Sequence, residues 1–114
     1  MITLEEAKLY LRVDTDYDDK TIVSMIASAE ALCADIARLS AEEWNVLNQY
    51  TGDGGLIIRS EEKSHSEVLH IRELLHTGIL YTLGYLYEHR EEADHHDLSI
   101  TLRNILSSIR EGVI

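Results

Sequence analysis

Three times this chain carries the same local instruction, a Ser or Thr followed three positions later by Glu. It reads Thr3-Leu4-Glu5-Glu6, Ser40-Ala41-Glu42-Glu43 and Ser64-His65-Ser66-Glu67. In such a capping box the hydroxyl accepts from the backbone N–H three residues on, and the Glu reaches back to the N–H of the capping residue. Each box therefore starts a helix. The 114-residue chain contains no proline, so long helices can run without a proline break. These features predict an all-α fold. The length suits one domain, 1–114, with a modest core, and 45% apolar residues is an ordinary globular share.

From Thr3 a short helix is expected to about Leu11, with Leu4, Ala7 and Leu11 on one face and Tyr10 beside them. The stretch 14–19 is an acidic turn, where Asp16 or Asp18 is expected to cap the next helix. Ile22, Ile26, Ala29, Cys33 and Ile36 then repeat in a 4-3-4-3 rhythm, flanked by Met25, Leu32 and Leu39. At about 100° per residue they share an arc of roughly 140°. Ser24, Ala31, Asp35 and Arg38 fall opposite. The second box opens a short helix through Trp44 and Leu47, ending near Tyr50 with Gly52 as its stop. Residues 51–55 form a flexible loop, and Leu56-Ile57-Ile58 fits a short strand or an extended loop.

The third box opens the longest helix, to about Glu91. Its second half, from Gly78 to Tyr87, is apolar nearly all round. Such a helix is central in a bundle or covered by another subunit, and so small a chain favours the subunit. Gly78 and Gly84 within it suggest close helix approach. A polar connection follows to Asp97, and Leu98, Leu102, Ile105, Leu106 and Ile109 mark one final amphipathic helix with Arg110 near its end. The expected architecture is a small bundle of about four to five helices, with one long apolar helix and a flexible middle loop.

The formal charge is −11, which opposes a grip on nucleic acid or on an anionic membrane. No apolar run approaches the roughly 20 residues of a membrane span. The N-terminus is acidic and does not resemble a signal peptide. Cys33 is the only cysteine, so no internal disulfide forms, and its place in a helical pattern marks an inert buried thiol.

No constellation argues for catalysis. Asp14-x-Asp16-x-Asp18 opens like a calcium loop, but that loop needs Gly sixth and Glu twelfth, where Asp19 and Met25 stand. Glu67…His70 and Glu73…His76 have the Glu-x-x-His spacing of di-iron bundles, yet both pairs sit on one helix, about 120° apart. His89, His95 and His96 lack helical ligand spacing. The glycines at 52, 54 and 55 lack the Gly-Lys-Ser/Thr ending of a phosphate loop. No cofactor, metal or catalytic residue is assigned.

The opening residues Leu4, Glu5, Glu6, Ala7, Lys8, Leu11, Arg12 and Val13, continued by Asp19, Ile22, Ile26 and Ala29, resemble the phage head–tail connector (head completion, DNA-packaging adaptor) family. A second block agrees: Tyr87-Glu88-His89-Arg90-Glu91 resembles the aromatic-x-x-Arg-Glu ending of that family's long helix, and Leu98…Leu102…Leu106…Arg110 resembles its last helix. The resemblance covers most of the chain except about 40–65. The family often has a proline shortly before the last helix, and this chain has none.

The resemblance implies a structural virion protein that forms a ring homo-oligomer at the portal vertex. Such a ring binds the portal protein and tail or head-completion proteins. DNA passes its channel without specific binding, and assembly takes place in the host cytoplasm. Candidate interface residues are Arg12, Asp19, Tyr81, Tyr85, Arg90, Glu91, Leu102, Leu106 and Arg110. Each has a local alternative: an ion pair or caps for Arg12 and Asp19, core packing for Tyr81 and Tyr85, an exposed helix end for Arg90 and Glu91, and packing within the chain for Leu102, Leu106 and Arg110. The rival function is a small acidic helical adaptor or regulator binding one protein partner.

Overall fold

The computed structural model describes residues 1–52, 54–58, 61–90 and 96–111. Among them the chain runs α1 (Leu4–Leu11), α2 (Asp19–Ile36), α3 (Ala41–Asn48), β1 (Leu56–Ile58), β2 (Glu61–Lys63), α4 (His65–Glu88), α5 (His96–Ile105) and α6 (Ser107–Glu111). The fold is predominantly helical, as the capping boxes imply.

Two of the three boxes close fully. Ser40 with Glu43 and Ser64 with Glu67 each exchange both bonds. The first closes halfway. Thr3 Oγ1 accepts from the Glu6 N–H at 3.1 Å, but the Glu6 carboxylate turns away to His76 Nε2 on α4, 2.6 Å distant. A close side-chain partner on a packed helix outcompetes one exposed N–H, which water can satisfy. Asp18 likewise occupies the capping position of α2 without a side-chain cap bond.

The predicted stripe of α2 is the core stripe: Ile22, Ile26, Ala29, Cys33 and Ile36 are all buried. It packs on Val68, Ile71, Leu75, Ile79 and Leu83 of α4, and Leu98, Leu102, Leu106 and Ile109 join the same apolar cluster. Two expectations need correction. First, α4 is long but not an apolar rod awaiting another subunit. The segment 78–87 is covered from within. Cys33, Leu102 and Leu106 crowd Gly78, and the Tyr10 ring lies against Gly84. Tyr81 is its one exposed large side chain. Neighbouring helices of the same chain supply the cover that a second copy was expected to give.

Second, the last helix divides at Leu106. The hydrogen bonds Leu106 N–H to Leu102 O, at 2.8 Å, and Arg110 N–H to Leu106 O, at 2.9 Å, carry the chain across. The weak helix formers Ser107 and Ser108 follow the break. Of the two alternatives for residues 56–58 the strand holds, and it pairs antiparallel with a second strand, Glu61–Lys63, that was not expected. The register is Leu56 with Lys63, Ile57 with Glu62 and Ile58 with Glu61. Ile58 and Lys63 are buried while Ile57 faces solvent. Before the hairpin, the Tyr50 hydroxyl donates to the Gly54 carbonyl and accepts from His65 Nδ1 at 2.6 Å, which ties the middle loop to the start of α4.

Candidate functional site

The opening two-helix unit meets the end of α4 at one corner of the bundle. α1 ends with Arg12 in the left-handed conformation, φ 58°. Its N–H bonds to Leu9 O at 3.3 Å and the Val13 N–H to Lys8 O at 2.9 Å, a pairing that closes a helix end. The expected ion pair is absent: Asp19 Oδ1 faces Lys8 Nζ at 2.8 Å, a contact without hydrogen-bond alignment. The Arg12 side chain is exposed. Arginine therefore fixes the turn through its backbone, and the charge that meets Asp19 comes from one turn earlier in α1.

The aromatic-x-x-Arg block finds its physical sense at the same corner. Tyr87 Oη donates to Asp18 Oδ2 at 3.4 Å. Arg90 lies 4.0 Å from the same oxygen, its guanidinium 4.8 Å above the Tyr87 ring. Asp18 thus turns its carboxylate from its own helix to the end of α4, while the positive end of α2 still sits beside it. The Arg90–Asp18 pair is loose and half-exposed, so its contribution to stability is small. Glu91 lies outside the described residues.

Beside this corner Tyr81, Gly84, Tyr85 and Glu88 share one stripe of α4, and with Tyr10 and His89 they line a shallow groove of about 360 Å³. Tyr85 stacks on His89, centroids 4.1 Å apart. The His89 Nδ1–H donates to the Tyr85 carbonyl at 2.9 Å. Tyr10 and Tyr81 are partly exposed, and Leu9 next to them is 81% exposed. Rigid aromatic faces with hydroxyl tips suit protein contact.

The remaining candidates look inward. Leu102 and Leu106 are fully buried in the chain's own core. Arg110 Nη1 donates to the Ile36 carbonyl at 3.1 Å, capping the negative end of α2. The Glu-x-x-His residues are engaged separately, Glu67 on its own helix start and His76 on Glu6. Among the described residues no three His, Cys, Asp or Glu gather around a point. Cys33 is buried, with Sγ 3.6 Å from Thr82 Oγ1. Burial pushes its thiol up to about 11, against a lowering by the Thr82 hydroxyl and with a further rise from Glu30. Such a thiol is a poor nucleophile.

Sequence reasoning missed Tyr10 as the cover over Gly84, and it missed Arg72. Among the described residues the Arg72 guanidinium makes one bond, Nη1 to Tyr50 O at 3.4 Å, and its Nε is buried without an acceptor. The helical register of Tyr10 could have signalled its part; an arginine on an amphipathic helix carries no such signal.

No curated protein and no solved structure matches the chain. A family model does, over residues 1–112, and it spans the middle segment that the sequence resemblance could not align. That model describes the phage gp6-like head-tail connector protein. With a match across nearly its whole length, the chain belongs to this connector family, a structural component of the phage virion and not an enzyme.

Proposed function

We propose that this connector is one subunit of a ring at the portal vertex, joining capsid to tail and lengthening the channel through which DNA passes. The observation that carries the proposal is the family match over residues 1–112. Because α4 is covered within the chain, a surplus of apolar helix no longer argues for the ring. Support comes instead from the exposed apolar and aromatic side chains near the α1–α4 corner, where Leu9, Tyr10 and Tyr81 stand. Arg12, Asp19, Tyr81, Tyr85, Arg90 and Glu91 are the residues assigned to contacts with neighbouring subunits, the portal protein or tail proteins. The −11 charge suits a channel wall that DNA passes without sticking.

Light scattering at several protein concentrations, with negative-stain microscopy of the same sample, tests the ring. A closed ring with a mass of many subunits is the expected result. A stable monomer or dimer at every concentration, both alone and with the portal protein, would contradict it and favour an adaptor that binds one partner.

A further inference from the structure

We infer that the groove beside Arg72 is a carboxylate-binding site and that its occupant is the acidic turn, residues 14–18, of a second copy of this chain. The inference rests on the ring proposed above and names one of its contacts.

The groove, about 290 Å³, is lined by Met1, Leu69, Arg72, Glu73 and His76. Two of its positive or potentially positive groups already have carboxylates. The Met1 ammonium meets Glu30 at 2.8 Å and His76 meets Glu6 at 2.6 Å. Arg72 has none among the described residues. Of the five N–H donors of a guanidinium, one reaches the Tyr50 carbonyl at a long 3.4 Å. Nε is buried with no acceptor, and a buried donor left unpaired is rare and destabilising. Glu73 neighbours it in sequence and stands exposed on the rim, with no ion pair to it. In a chain with 21 acidic and 10 basic residues, an arginine that meets no carboxylate among the described residues and stands beside an open groove suits one brought by a second copy. Planar guanidinium and carboxylate pair through two parallel bonds.

The turn supplies the complement. Asp14 and Asp16 are exposed, and neither side chain is in an ion pair among the described residues. Tyr17 between Asp16 and Asp18 is 90% exposed. Leu69, 40% exposed, stands beside Arg72 in the groove. An aromatic ring next to a carboxylate fits an apolar side chain next to a guanidinium. The turn cannot fill its own chain's groove, because Asp18 is held at Tyr87, about 22 Å along α4 from Arg72. Donor and acceptor patches therefore differ, and a contact of that kind closes into a ring when its rotation permits.

The test uses a blocked peptide of residues 13–20 titrated into the intact chain by calorimetry. Wild type is expected to bind it, Arg72→Gln to bind at least tenfold more weakly, and a peptide with Asp14→Asn and Asp16→Asn to lose binding to the same degree. Arg72→Lys, which keeps the charge and loses the planar fork, is expected to fall between. Thermal melts of both variants check folding. Equal binding by Arg72→Gln, no binding by wild type at millimolar peptide, or equal binding of a scrambled peptide would overturn the assignment. Light scattering separates the two levels. Rings that survive Arg72→Gln leave the ring standing and remove this contact. Peptide binding through Arg72 by a chain that forms no ring keeps the site and removes the ring.

Discussion

Arg12 stands where a helix end ordinarily places glycine. An L-residue in the left-handed region is disfavoured by about 1 kcal/mol or more, and its backbone already does all that the helix end requires. A strained position filled by a long exposed side chain points to a role for that side chain outside the subunit. Arg12→Gly is expected to leave the isolated subunit as stable as wild type, or more stable by up to about 1 kcal/mol, while weakening assembly. Urea denaturation measures the first effect and light scattering the second. A loss of subunit stability would place the role of Arg12 inside the chain.

Cys33 is the opposite case, a reactive group silenced by its surroundings. Its pKa is raised to about 11 from 9.0. A folded-state value above the unfolded one means full stabilisation below the unfolded value, lost as pH rises through the folded one. Wild type should therefore lose stability between about pH 9 and about 11 more steeply than Cys33→Ala, as thermal melts would show. At pH 8 a thiol reagent should modify the native protein only as fast as it unfolds.

At the scale of elements, the helix starts were legible because a capping box is local: hydroxyl, N–H and carboxylate lie within four residues. The same locality explains where that reading fails. Glu6 left its box for His76, and Asp18 left its cap for Tyr87 and Arg90, because partners distant in sequence became available only on folding. The α2 stripe was legible through its period; the second strand was not, since Glu61-Glu62-Lys63 has neither alternation nor β-branched residues. Arg72 was invisible for a related reason. Its distinguishing property is a missing partner, which only the packed structure defines.

Two predictions belong to single elements. In the third capping box, the Ser64 N–H and then its hydroxyl hold the Glu67 carboxylate below its ordinary value. A lowered folded-state pKa gives stability that is present above the unfolded value and lost as pH falls through the folded one. The stability difference between wild type and Glu67→Ala should thus be full at pH 6 and fade in acid, measured by denaturation across that range. In the hairpin, a Cβ at Gly55 would lie 2.2 Å from the Lys63 carbonyl oxygen. Gly55→Ala must displace β1 from β2, at a cost of about 1–3 kcal/mol, and should increase amide exchange at Leu56 and Ile58. Unchanged exchange there would contradict the placement of the hairpin.

At the scale of the whole molecule, one apolar cluster joins α2, α4, α5 and α6. α4 is central in it, so the subunit needs no partner to complete its core. The surfaces proposed for partners are the corner where Leu9, Tyr10 and Tyr81 are exposed and the groove beside Arg72, whose Nε has no acceptor among the described residues. In the ring proposed above, separate complementary patches on one subunit would join neighbour to neighbour, and the −11 charge would keep DNA from adhering to the channel wall. Membership of the connector family fixes the class of protein, and the ring at the portal is the central claim built on it. Electron microscopy of this chain mixed with its cognate portal protein tests that claim most directly. An added collar of density coaxial with the portal channel is the expected result. Portal rings that stay bare at saturating connector concentration would contradict it.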